Sequence, residues 1–122
     1  GRIGAIEVFL SGPGLENYFE FITKKYISSK EIIALYRTKE KQAVSIMNVY
    51  FERAARALST VVNILDPDVI VCGGGMSEID EIYNEIPKRI VPYLASDFFH
   101  TPVVKALHGS SSGVRGAALL WD

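Results

Sequence analysis

Residues Val61 to Asp80 read VVNILDPDVIVCGGGMSEID, and most of the fold can be argued outward from them. Asp66-Pro67 breaks whatever precedes it, because proline carries no N–H and its ring excludes a continuing helix. Val69 to Cys72 is rich in β-branched side chains between that break and three glycines, the pattern of a short buried strand. Ser77, followed three residues later by Asp80, has the form of a capping box. It predicts a helix through Ile79, Ile82, Tyr83 and Ile86, with a kink at Pro87.

Upstream of the break, Val44, Met47, Tyr50, Phe51, Ala54, Leu58, Val61, Val62 and Leu65 recur every three to four residues from about Glu40. That spacing puts them on one face of a long amphipathic helix. Downstream, Pro102 to Leu107 is a second strand candidate, Gly109 to Gly113 a loop, and Val114 to Trp121 a terminal helix. Strand, helix, strand and helix in that order form a βαβ crossover with parallel strands. Nearer the N-terminus, Ile3 to Leu10 reads as a helical turn and Ser11-Gly12-Pro13-Gly14 as a break. Leu15, Tyr18, Phe19 and Ile22 then define a helix with Pro13 in its first turn. Ser28-Ser29-Lys30-Glu31 caps a further short helix ending near Arg37.

The chain has 122 residues, enough for one domain with a core. Lys and Arg nearly balance Asp and Glu, for a formal net charge of -1, so neither a nucleic-acid surface nor a membrane patch is implied. A single cysteine, Cys72, excludes an internal disulfide and cannot alone build a zinc site. No apolar run approaches the roughly 20 residues of a membrane span, and no signal peptide is visible, which makes the cytoplasm the expected location. A parallel sheet normally has several strands covered on both faces, yet two are in evidence. The expectation is a piece of a larger α/β protein whose remaining strands lie upstream.

Three places carry possible chemistry. Gly73-Gly74-Gly75 is neither a dinucleotide fingerprint, since Glu78 stands where the last glycine would be, nor a P-loop, since no Lys-Ser or Lys-Thr follows. It lies at the carboxyl end of a parallel strand, where open α/β sheets bind ligands, and glycine lets a ligand reach the backbone. Glu78, Asp80 and Glu81, read as the first turn of the following helix, oppose a bare phosphate and favour a sugar or purine face. The plainer alternative is a tight turn. HGSSSGVRG, His108 to Gly116, combines three serines with Arg115 and is electrostatically the better anion cradle, or else a serine-capped turn. Glu7, inside the apolar stretch GAIEVFL, is a solvated side chain or a buried acceptor for hydroxyl donors. His100 and His108 lack partners at metal or triad spacing, and Cys72 reads as packing.

Taken together, GAIEVFLSGPG, VVNILDPDVIVCGGGMS and HGSSSGVRGAALLW resemble, in order and separation, the C-terminal half of the ROK family (repressor, open reading frame, kinase). The likeness is strongest to its bacterial fructokinases and N-acetylhexosamine kinases. The resemblance implies an α/β fold, the C-terminal half of an actin-like, ribonuclease-H-like ATPase domain, mainly helical with a short parallel βαβ unit. Residues 1–122 would form one C-terminal domain, with the N-terminal domain and first strands absent.

The intact protein would be an ATP- and Mg²⁺-dependent hexose kinase of fructokinase or N-acetylglucosamine kinase type, a cytoplasmic homodimer, its catalytic base upstream and this chain alone inactive. By position, Glu7 corresponds to the family's glutamate that binds sugar hydroxyls. Gly73, Gly74 and Gly75 correspond to the loop against which the nucleotide lies, with Gly113 near it. Ala5 replaces a cysteine of the family's zinc cluster, leaving zinc unassigned, and Ser110 replaces a frequent aspartate. The alternatives are a sugar-responsive repressor of the same family, which alone would bring in nucleic acid, and an oligomerisation module built on the Glu40 to Leu65 helix.

Overall fold

The computed structural model describes residues 5–121, apart from the side chains of Ser112 and Trp121. Its spine is α4, Lys41–Leu65, which at 1.5 Å per residue runs about 37 Å. Glu40 caps its start, accepting a hydrogen bond from the Ala43 N–H at 2.7 Å, and Asp66 ends it in the left-handed region (φ 44°) ahead of Pro67. Around α4 lie α1 (Glu7–Leu10), α2 (Gly12–Thr23), α3 (Ser29–Arg37) and α5 (Ile82–Ile90).

The helical periodicity read from the sequence is the periodicity of burial as far as Ser59; beyond it the predicted face leaves the core, with Val61 38% and Leu65 68% exposed. Ala43, Ile46, Met47, Tyr50, Phe51, Ala54 and Ala55 are buried along one side of α4, with Leu15, Phe19 and Ile32 packed from α2 and α3. From the other side, α5 contributes Ile82, Ile86 and Ile90 at helical spacing. Tyr50 also donates its hydroxyl to the Leu10 carbonyl at 3.0 Å, fastening α1 to the spine, and burial pushes its pKa up to about 12.

Both N-terminal caps fall where the sequence puts them. Ser28 and Glu31 form a reciprocal capping box on α3, and Pro13 occupies the first turn of α2. The α2–α3 corner is held by Glu16, which accepts from the Ser29 N–H at 2.8 Å and from the Tyr26 hydroxyl at 3.0 Å.

Two strands, β1 (Ile70–Cys72) and β2 (Val103–Lys105), pair in parallel with Ile70 opposite Val103, Val71 opposite Val104 and Cys72 opposite Lys105. Helix α5 lies between them in the chain, so the βαβ crossover is present. After β2, a 3-10 turn at Gly109–Ser111 leads into α6, Ser112–Ala118.

Three expectations change. The β1 strand is not buried: Val71 is 59% exposed and Cys72 half-buried, because a two-stranded sheet covered by helices on one side leaves its alternate residues outside. The region from Gly109 to Gly113 is not loop throughout, since α6 already begins at Ser112. The predicted capping box at Ser77 and Asp80 does not form. Ser77 is buried and donates its hydroxyl to the Gly74 carbonyl at 2.6 Å, closing a 3-10 turn over Gly75–Glu78, and α5 begins only at Ile82 without a side-chain cap. The part of the predicted turn at Ile3 and Gly4 lies outside the described residues.

Candidate functional site

A concavity of about 900 Å³ opens at the carboxyl end of β1. Four pieces of chain line it: the α1–α2 corner with Glu7, one face of α3, the Gly73 to Gly75 backbone running on to Glu78, and Ser110 from the loop after β2. Glu7 and the three glycines, far apart in sequence, thus share one cavity wall. Gly113 is not part of that lining and lies exposed on α6.

Within the glycine run, only Gly74 requires glycine for its backbone, at φ 81°, where other residues are strained. A Cβ at Gly74 or Gly75 would meet no atom within 4 Å. The turn therefore has an open, flat surface on its outer side, and any side chain there would project into space a ligand could use. Ser77 fixes the inner side by holding the Gly74 carbonyl, and Tyr83 holds Ser77 in turn, donating its hydroxyl to the Ser77 carbonyl at 2.6 Å.

The electrostatics differ from the sequence expectation. Glu78, Asp80 and Glu81 precede α5 rather than forming its first turn, and two of them are neutralised by cations from other elements. Arg37 of α3 grips Glu81 with two bonds, Nε to Oε1 at 2.8 Å and a second N–H group to Oε2 at 3.0 Å. Lys105 of β2 lies 2.5 Å from Glu78. These partners hold both carboxyls below their ordinary value. The opposition to anions argued from three free acids is thus reduced to Asp80.

The second predicted cradle changes too. Arg115 turns back onto His108 Nδ1 at 2.6 Å instead of facing the cavity, and Ser110 of this segment lines it. His100 and His108 are exposed. Burial raises the Cys72 thiol pKa.

Sequence reading missed the contribution of α3. Ser29, Lys30, Ile33 and Arg37 line the cavity together. Their spacing marks one helical face, which is legible in the sequence, but nothing local says that this face meets the glycine turn. Ile33 and Met76 supply apolar surface near the open glycines, while Lys30 and Ser29 supply polar groups.

Among the described residues, no three His, Cys, Asp or Glu side chains gather as metal ligands do. The donor set does not fit a zinc cluster or a protein-held magnesium ion, so no step is assigned to either. Nor is any helix among the described residues long and apolar enough to cross a membrane.

The fold of this chain is the actin-like ATPase fold found in ROK sugar kinases of known structure. A ROK family glucokinase from Streptomyces griseus, solved with glucose and AMPPNP, superposes with a TM-score of 0.81 at 25% identity over 98% of this chain and 45% of its own. A ROK hexokinase from Thermus thermophilus shares the fold with a TM-score of 0.81 at 23% identity, over 98% of this chain and 40% of its own.

The ROK family pattern matches residues 1–122, and the chain belongs to that family. It is 36% identical over 99% of its length to an N-acetyl-D-glucosamine kinase of Haemophilus influenzae. It is 40% identical over 96% of its length to an enzyme of the same name from Photobacterium profundum. The chain spans 40% and 39% of the length of these two curated relatives.

Proposed function

We propose that the intact protein is an ATP-dependent hexose kinase, of the kind that takes N-acetylglucosamine or glucose, and that this chain carries part of both substrate seats. The observation behind this reading is the single cavity lined by Glu7 and by the Gly73 to Gly75 backbone. Glu7 accepts hydrogen bonds from sugar hydroxyls, which a carboxylate does through four lone-pair sites without needing a proton. The nucleoside lies on the open face of Gly74 and Gly75, with Ile33 and Met76 as apolar walls. Lys30 and Ser29 are placed to meet its polar edges.

Transfer of the γ-phosphoryl group needs the sugar hydroxyl and the phosphate held in line, and catalysis of that kind is largely positioning and charge stabilisation. Magnesium bound with ATP would neutralise phosphate charge. The base that takes the hydroxyl proton is assigned to residues outside this chain, since Glu7 is assigned to binding.

Calorimetry on the intact enzyme tests the two seats separately. Glu7→Ala should weaken sugar binding by about 1.5–3 kcal/mol for each hydrogen bond lost while leaving ATP affinity nearly unchanged. Gly75→Val, at a position whose backbone does not need glycine and whose added Cβ meets no atom within 4 Å, should do the reverse, keeping the ligand-free thermal midpoint but losing the rise that ATP gives wild type. Unchanged sugar affinity in Glu7→Ala would return Glu7 to a solvated role. A Gly75→Val variant that keeps the ATP-induced rise would move the nucleotide elsewhere.

A further inference from the structure

Two loops meet at the nucleotide side of the cavity, and one carboxylate joins them. Glu78 ends the 3-10 turn Gly75–Glu78 that follows β1, and its Oε2 lies 2.5 Å from Nζ of Lys105, the last residue of β2. Ser110, in the loop after β2, lines the same cavity wall as this carboxylate. Gly109 stands next to it at φ 53°, and a Cβ there would collide with Glu78 Oε1, so the second loop closes directly onto the carboxylate. The two 3-10 turns, Gly75–Glu78 and Gly109–Ser111, pack against each other, and both Glu78 and Ser110 face the cavity. The Glu78 carboxylate thus ties the first turn to Lys105 at the foot of the second loop and packs against Gly109 within that loop.

We propose that Glu78 is a positioning residue for the nucleotide: it locks the two loops into one surface, so that the open glycine backbone and Ser110 are presented together. The inference rests on the kinase reading above. A pair this exposed, with half of the Glu78 side chain and 38% of that of Lys105 in solvent, contributes little to folding. What it fixes is relative position, and the cost of freeing the second loop falls on the ligand that must then order it.

The experiment uses the intact enzyme, with AMPPNP and N-acetylglucosamine as separate titrants. In wild type both should bind. Glu78→Ala should raise the dissociation constant for AMPPNP about tenfold, the equivalent of one charge-assisted hydrogen bond. Glu78→Gln keeps the size of the side chain and its packing on Gly109 but loses the ion pair, and should raise it about threefold. Lys105→Met, which breaks the lock from the other strand, should match Glu78→Gln, and this variant decides the question if Glu78→Ala does not fold. In all three, sugar affinity should stay within about twofold of wild type, and amide exchange at Ser110 should speed up.

Wild-type failure to bind AMPPNP would overturn the kinase reading and this inference together. Nucleotide binding by wild type with unchanged affinity in Glu78→Gln and Lys105→Met would overturn the inference alone. Equal losses of sugar and nucleotide affinity would also overturn it, since they mark a general structural role.

Discussion

Along α4 as far as Ser59 and along α5 the inward apolar side chains are enclosed, with Met47, Phe51 and Ile90 completely buried, whereas on β1 and β2 Val71 is 59% and Val104 39% exposed. The helical layer closes its own core within this chain. The sheet does not: it is held by ladder hydrogen bonds, by Thr101 donating to the Pro67 carbonyl at 3.0 Å, and by the exposed Glu78 to Lys105 pair. Stability is therefore concentrated in one region and open backbone in the other. The division follows from physics, since burial supplies most of the folding free energy, while a binding edge must leave backbone accessible.

The largest expected effect lies in the helical layer. Phe51 is buried against Tyr36 and Tyr50, edge to face at ring separations of 5.9 Å each. Phe51→Ala should destabilise the chain by about 3–5 kcal/mol, as lost burial and an unfilled cavity add. Urea unfolding measures this directly, and a loss below about 1 kcal/mol would mean that the core is not where the folding free energy resides.

Acid should act more gently and on both regions. The carboxyls of Glu81 and Glu85, paired with Arg37 and with Arg89 and Lys88, are held below the usual 4.5, as is that of Glu78 by Lys105. A depressed folded-state pKa contributes stability that is complete above the unfolded value and is lost as pH falls through the folded one. The thermal midpoint should thus be steady near neutrality and decline progressively as pH drops below about 4.5. A midpoint that rises over that range would mean these pairs are not formed.

The smallest effect should come from the sheet. Val71→Thr keeps the branched shape at an exposed position and should change stability by less than about 0.5 kcal/mol. A loss comparable to that of Phe51→Ala would erase the contrast, because it would show Val71 to be covered in solution.

Legibility in the sequence divides along the same line. The helix over Lys41–Leu65 is plain because an unbroken amphipathic period runs from its start to the breakers at Asp66 and Pro67, although burial follows that period only as far as Ser59. Ser28 and Glu31 are plain because a capping box is made by residues three apart. The start of α5 misleads for the complementary reason: Ser77 and Asp80 have the spacing of a cap, but Ser77 is buried under Tyr83 and spends its hydroxyl on Gly74. Strand burial misleads because a run of β-branched residues indicates extended backbone and says nothing of how many layers cover it.

By itself the sequence determined the order and kind of the elements, the crossover that makes the two strands parallel, and the position of a side-chain-free turn at a strand's carboxyl end. These depend on interactions spanning a few residues, which local spacing encodes. Only the tertiary structure decided that Glu7 and the glycine turn line one cavity, that a face of α3 completes it, and that Glu78 and Glu81 are neutralised by Lys105 and Arg37. The two ion pairs join residues 27 and 44 positions apart, and the cavity wall joins residues still more distant in the chain. Such groups are brought together by the packing of α4 against its neighbours, and side-chain charge acts through distance in space rather than along the chain.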